Sequence, residues 1–325
     1  MKIVLAGAVS STLTTLKKLI EHKMEVVGVL GYEPESTRNV SGYSLLQPIA
    51  RANNIAYMPF SKINDAKVVQ QLKNWQPDII FIVGLSQLVK DEILSIPPKG
   101  IIGFHPTALP KGRGRAPIAW AVLKEKLVGA NFFIMDSGVD SGDILVQELF
   151  PVEDNDYAED IEIKILKAIE IALDKLLPTL KKGIIKAQTQ NEDEASYYGR
   201  RTPNDGCINW HNTAKNIQKL IRASSRPHPG AFTFNGDTKV IIWKAEIEKT
   251  INYTGVVGRI LKQNDKGHLL VQTGDGLLWI TEYEVIDFDE NILDKSLKVG
   301  QMLGYYSDLE IYKLKKEIKK LKKLL

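Results

Sequence analysis

The chain has 325 residues, too many for one ordinary domain and suited to two, and its 44% hydrophobic and 25% charged residues fit a globular protein with a sizeable core. No run approaches the ~18 apolar residues of a membrane span. The single cysteine, Cys207, excludes an internal disulfide or a thiolate metal cluster. The net charge of +4 is carried by residues 308–325, where seven lysines face three acids, so a broad basic surface for nucleic acid is not expected.

In chain order, Lys2–Ala6 reads as an apolar strand without signal-peptide features, and the cytoplasm is the expected address. Ser11–His22 has helix periodicity through Leu13, Leu16 and Ile20. Val26–Leu30 is a second buried strand, followed by a polar loop over Gly31–Gly42. Tyr43–Asn54 and Ala66–Asn74 read as helices, and Asp78–Val83 as a third buried strand. Gly100–His105 is a strand entering a Pro/Gly-rich loop, Ala116–Lys124 is helical, and Ala130–Met135 is a further strand. A long helix over Tyr157–Leu177 carries Ile163, Leu166, Ile169, Leu173 and Leu177 at helical spacing, with Pro178 as its stop. This alternation predicts a mostly parallel, Rossmann-like α/β sheet over 1–186.

From Ala187 the texture changes to short strands with Gly/Asn/Asp turns: Thr233–Gly236, Val240–Ile242, Gly255–Ile260, Leu269–Val271 and Leu277–Ile280. One helix, Ala214–Ser224, precedes them, and the pattern predicts a small barrel-like β domain over 187–306. Residues 307–325 form a lysine-rich terminal helix with Ile311, Leu314, Ile318, Leu321 and Leu325 on a heptad seam. Two outcomes stay open for it: a homodimer coil, or a helix laid back on its own body.

The stretch Gly103-Phe104-His105-Pro106-Thr107-Ala108-Leu109-Pro110-Lys111-Gly112-Arg113-Gly114-Arg115-Ala116-Pro117 carries the chemistry. A histidine at the carboxyl end of a buried parallel strand stands where open α/β sheets place their ligands. Farther on, Val139-Asp140-Ser141-Gly142-Asp143 supplies a carboxylate in a glycine turn. An imidazole that takes a proton from an attacking amine, with a carboxylate to orient it, is what amine acylation requires. The turn Gly7–Thr12 is not a dinucleotide fingerprint; Ser10 or Ser11 reads as a helix N-cap, at a spot also able to donate to a substrate phosphate.

His-Pro-Thr-x-Leu-Pro-x-x-Arg-Gly-x-x-Pro, followed by Met135-Asp136-x-Gly138-x-Asp140-x-Gly142-Asp143, resembles the folate-dependent formyltransferases. Arg200-Arg201-Thr202-Pro203-Asn204-Asp205-Gly206 and Pro227-x-Pro229-Gly230-Ala231 resemble the branch acting on nucleotide-linked amino sugars. The likeness runs over about residues 1–245 in motif order and spacing. It implies formyl transfer from N10-formyltetrahydrofolate, without a metal, to a sugar-nucleotide amine. Methionyl-tRNA as acceptor, or a lapsed enzyme that only binds folate or nucleotide, are the alternatives.

By that resemblance His105 and Asp140 are catalytic. Gly84-Leu85-Ser86-Gln87-Leu88 would hold the pterin ring, with Asp136 and Val139 in the loop closing over it. Arg113, Arg115, Arg201 and Arg222 would meet the nucleotide diphosphate; Ser10, from its place in the first strand–helix turn and not from the resemblance, is a further candidate substrate contact. The family asparagine two residues before the histidine is here Gly103. Loss of one oxyanion donor typically costs ~10²–10³ in rate, and Asn131 is the candidate to supply the displaced amide.

Overall fold

The computed structural model describes residues 1–36, 40–305 and 307–322, in two compact units, Met1–Arg201 and Thr202–Leu325. Part of the predicted 31–42 loop, and Leu325 of the heptad seam, lie outside the described residues.

The first unit runs β1 (Lys2–Gly7), α1 (Ser10–Glu21), β2 (Glu25–Tyr32), α2 (Gln47–Ala52), β3 (Ala56–Phe60), α3 (Ala66–Trp75), β4 (Ile79–Ile82), α4 (Asp91–Leu94) and β5 (Ile101–His105). It continues through β6 (Arg113–Gly114), α5 (Pro117–Lys124), β7 (Leu127–Ile134), β8 (Ile144–Pro151), α6 (Ala158–Lys181) and β9 (Tyr197–Tyr198). Seven strands form one sheet in the order β3-β2-β1-β4-β5-β7-β8. β1 to β5 are parallel; β7 runs against both β5 and β8. One face is closed by a core of Val4, Leu30, Phe60, Val68, Leu72, Ile80 and Ile101, and α6 packs on β7 and β8 and against α1. The chain leaves β1 toward β2 and β3, then returns to place β4 on the other side. The β1/β4 ends are therefore the switch point where such sheets bind ligands.

Local chemistry explains the departures from the sequence reading. The helix predicted over Tyr43–Asn54 shrinks to α2, because Pro48 has no N–H to donate and its ring clashes with a helical carbonyl four residues back, so it is held only in a first turn. Ala56–Phe60 is a strand that periodicity did not show; Pro59 confines it to the sheet edge, where a missing donor is tolerated. β8, which pairs along β7, was likewise not foreseen. α6 does not stop at Pro178: Leu180 is fully buried, and a proline so near the end removes one bond without preventing the last turn. α1 starts at Ser10 with Val9 as its N-cap, so neither serine caps it. Thr12 Oγ1 instead accepts from Val9 N (3.2 Å) and donates to Val83 O (2.7 Å).

The first unit extends past residue 186 because the following segment returns to it. Gln188 pairs with Ile144, and β9 pairs in parallel with β6. In the second unit α7 (Ala214–Ser224) precedes β10 (Ala231–Asn235), β11 (Thr238–Glu248), β12 (Ile260–Gln263), β13 (Leu269–Gln272), β14 (Leu277–Ile286) and β15 (Ile292–Leu293). The antiparallel sheet is ordered β10-β11-β14-β13-β12, with β15 on β14. Its two edges are tied by residues 300–304: Gly300 N donates to Ile260 O, Leu303 N to Gly258 O and Gly304 N to Phe234 O, each at 2.8 Å. This closure gives the barrel-like form. α8 (Ser307–Leu321) ends the described chain, and no described helix is long and apolar enough to cross a membrane.

Candidate active site

His105 is the last residue of β5, and Asp140 lies in the loop joining β7 to β8. The antiparallel pairing of β5 with β7 brings the two side chains together: His105 Nδ1 is 3.4 Å from Asp140 Oδ2. His105 is 5% exposed. Its Nε2 lies 2.9 Å from the Gly112 carbonyl, an acceptor only, so Nε2 carries a proton. Nδ1 is then the nitrogen at which a proton taken up would rest against the carboxylate. Asp140 Oδ2 also accepts from Gly114 N at 2.9 Å, which orients the carboxylate from the opposite loop. Asp140 itself has φ +51°, a left-handed conformation that aspartate tolerates better than most residues.

That conformation is braced by a residue the sequence reading missed. Gln190 Nε2 donates to Asp140 O (2.9 Å) and Gly142 O (2.7 Å), while its Oε1 accepts from Arg113 Nε and Nη2 (3.2 and 2.9 Å). Arg113 also donates to Glu192 from Nη1 and Nη2 (2.9 and 2.7 Å) and to the Tyr197 hydroxyl (2.9 Å). It is fully buried, which corrects its expected role. All three guanidinium nitrogens are occupied, so Arg113 holds the fold of the catalytic loop and is not presented to a diphosphate. The hydrogen bonds it donates to Glu192 raise the Arg113 guanidinium further above its usual range, and Arg113 holds the Glu192 carboxyl below its own. Partners 77–84 positions away carry no local sequence signal.

Asn131 is corrected in the same way. It pairs across the sheet with His105 and is fully buried. Its Nδ2 donates to the carbonyls of His105 and Thr107, and its Oδ1 accepts from Gln147 Nε2 (2.6 Å). No amide hydrogen remains for a formyl oxygen; the side chain fixes the end of β5 instead. Gly103 has no room for the missing asparagine. A Cβ there would stand 2.8 Å from both Met135 Cγ and Phe133 Cζ, so aromatic and thioether atoms fill the place.

The loop Gly84–Leu88 leaves β4 at the switch point, next to the end of β5. Gly84 has φ +65°, and a Cβ on it would come within 2.1 Å of Val9 Cγ2, so only glycine fits against the β1 turn. Gln87 spends its amide inward, accepting from Ile63 N (2.8 Å) and donating to Ser61 O (2.8 Å). Leu85 packs on the core, Gly84 and Ser86 are exposed, and Leu88 is 79% exposed. An open backbone braced from behind fits a flat heterocycle that reads amide groups. In the opposing loop, Asp136 accepts from Gly138 N and from Ser141 Oγ (2.9 Å each), holding a closed turn with Val139 half exposed at its tip.

Among the other arginines, Arg115 is exposed next to β6. Arg201 is partly exposed over the Trp120 ring (5.5 Å), and that ring stacks on Tyr198 (5.0 Å, 11°). Burial and a hydrogen bond to Glu125 push the Tyr198 hydroxyl up to about 12. Arg222 is 7% exposed in the last turn of α7, in the second unit, which corrects its expected place at an open phosphate site. Ser10 Oγ donates to Gly42 O (3.2 Å).

The family model described as Formyl transferase matches residues 1–177, and that described as Formyl transferase, C-terminal domain, matches 200–287. The chain is 32% identical over 289 residues to the methionyl-tRNA formyltransferase of Caldanaerobacter subterraneus subsp. tengcongensis, covering 87% of this chain and 92% of that protein. In fold it is similar to HypX from Aquifex aeolicus solved with tetrahydrofolic acid (TM-score 0.65, 19% identity, 90% of this chain), and it spans about half of that longer chain, 46%. It is also similar to WlaRD, a sugar 3N-formyl transferase solved with dTDP and 5-N-formyl-THF (TM-score 0.64, 22% identity, 91% of this chain and 98% of that one). With its first 177 residues matched as one domain and a relative at 32% identity along nearly its whole length, the chain belongs to the formyl transferase family, whose formyl donor is N10-formyltetrahydrofolate.

Proposed function

We propose that the chain transfers a formyl group from N10-formyltetrahydrofolate to the primary amine of a nucleotide-linked amino sugar. The observation that carries formyl transfer is the His105–Asp140 contact of 3.4 Å at the sheet end adjoining the Gly84–Leu88 loop. The substrate amine, neutral when it attacks, forms the new C–N bond at the formyl carbon, and the bond to N10 of the folate breaks. His105 accepts the amine proton at Nδ1, and the folate nitrogen is reprotonated as it leaves. Asp140 stabilises the ring while it is charged, and Gly112 O keeps it from turning.

The acceptor is read from the β6–β9 side of the same unit. Arg115 and Arg201, with the Trp120–Tyr198 stack, offer cations and an aromatic surface, which suit a diphosphate and a base. Residues 1–201 hold 24 Lys/Arg against 24 Asp/Glu, a neutral unit without the excess charge that a tRNA grip uses. Methionyl-tRNA remains the second reading, favoured by the 32% identical relative of that name. Incubation with the formyl donor and, separately, UDP- or dTDP-linked amino sugars or charged initiator tRNA discriminates them. A formyl mass gain on a sugar nucleotide supports the proposal; gain on the tRNA alone refutes the sugar reading, and gain on neither refutes both.

A further inference from the structure

The terminal helix presents an apolar stripe to solvent. Ile311, Leu314, Ile318 and Leu321 are each 48–61% exposed, and no described residue of α8 is buried. A lone helix of 15 residues is marginal in water, so the stripe needs cover to be stable. Ile311, Leu314, Ile318 and Leu321 occupy positions a, d, a and d of a heptad. β-Branched residues at a with leucine at d favour a parallel two-stranded coil.

The charges beside the seam make the same choice. In this register Glu310 and Glu317 stand at g, and Lys315 and Lys322 at e. In a parallel, in-register pair each g residue faces the e residue of the partner's next heptad. Glu310 then meets the partner subunit's Lys315, and Glu317 meets the partner subunit's Lys322. An antiparallel pair would instead set glutamate against glutamate and lysine against lysine. Lys313, Lys316, Lys319 and Lys320 fall at c, f, b and c, away from the seam. The present Glu310–Lys313 pair (2.8 Å) is an exposed i,i+3 contact that dimerisation can replace. A helix lying on an anionic bilayer would gain nothing from glutamates flanking its apolar stripe.

We propose that two copies of this chain associate through α8 as a parallel, in-register coiled coil. The seam is short, so the association is weak and concentration-dependent. Sedimentation velocity of the full chain from micromolar to millimolar concentration should show a monomer–dimer shift. Ile318→Glu should leave a monomer with unchanged thermal unfolding. Glu310→Lys/Glu317→Lys and Lys315→Glu/Lys322→Glu should each be monomeric alone and pair when mixed. In a Cys207→Ser background, Leu321→Cys should oxidise to a cross-linked dimer, as d residues face one another only in the parallel register. A wild-type chain that stays monomeric throughout overturns the proposal, as does a dimer that survives Ile318→Glu or leaves Leu321→Cys uncross-linked. Binding of the monomer to phosphatidylserine vesicles would assign the stripe to a membrane surface and overturn it too.

Discussion

Asp140→Asn removes a charge from the site while leaving its shape. The asparagine carbonyl can keep the 2.9 Å bond from Gly114 N, and asparagine tolerates the φ of +51° as aspartate does. Only the ionic contact with His105, at 3.4 Å, is lost. Two unit charges at that separation attract by about 5 kcal/mol at an effective dielectric of about 20, and by about 1 kcal/mol in bulk water. The side chains are 6% and 20% exposed, so an intermediate figure of ~2–3 kcal/mol applies. If that attraction serves the protonated ring in the transition state, kcat falls ~30- to 160-fold. KM for the formyl donor should change little. The assay is release of tetrahydrofolate under saturating donor, followed optically beside a thermal melt. In a His105→Ala background the same substitution should cost almost nothing further, because the two groups act as a unit. A variant that melts normally and keeps kcat within about threefold of wild type would refute the claim that the carboxylate charge drives the histidine.

The two arginines of the loop should separate cleanly. Arg113→Ala strips Gln190, Glu192 and Tyr197 of a shared donor and should lower stability, on the order of 3 kcal/mol for a broken buried network, seen as a drop in melting temperature with activity lost alongside. Arg115→Ala should leave the melt unchanged and raise KM for a sugar nucleotide about tenfold or more, with weaker salt dependence; an unchanged KM would remove Arg115 from the substrate site. Gly103→Asn should destabilise by about 1–3 kcal/mol through overpacking on Phe133 and Met135, without a gain in kcat; a faster enzyme with an unchanged melt would show that the place is not filled. Finally, Arg113 holds Glu192 below its ordinary 4.5, so the stability from this pair is present above that pH and is lost as pH falls through the depressed value. Melting temperature should therefore decline on acidification below about 4.5, and Glu192→Gln should flatten that limb while lowering stability at neutral pH.

How much was legible in the residues differs between fold and site. The strand ending in His105, the Asp140 turn, helix α7 and the change to a β-rich second half could be read directly, because apolar periodicity and turn chemistry are local properties of the chain. The same reading lost the edge strand Ala56–Phe60 and ran one helix too long across Pro48, places where sheet pairing or one ring decides against composition. The type of chemistry was written in a fifteen-residue stretch around His105 and a short loop around Asp140. Whether those two groups meet, and at 3.4 Å, was decided only when β5 and β7 paired in register. The arginines show the limit most sharply. Arg113 and Arg115 are near neighbours in sequence and looked alike as donors, yet one is sealed by Gln190 and Glu192 while the other stays in solvent. Those partners arrive from another part of the chain, and burial is a property of what folds over a residue, not of the residue. The same holds for Asn131, whose amide was free on paper and is spent on the carbonyls of His105 and Thr107 once the strands lie side by side.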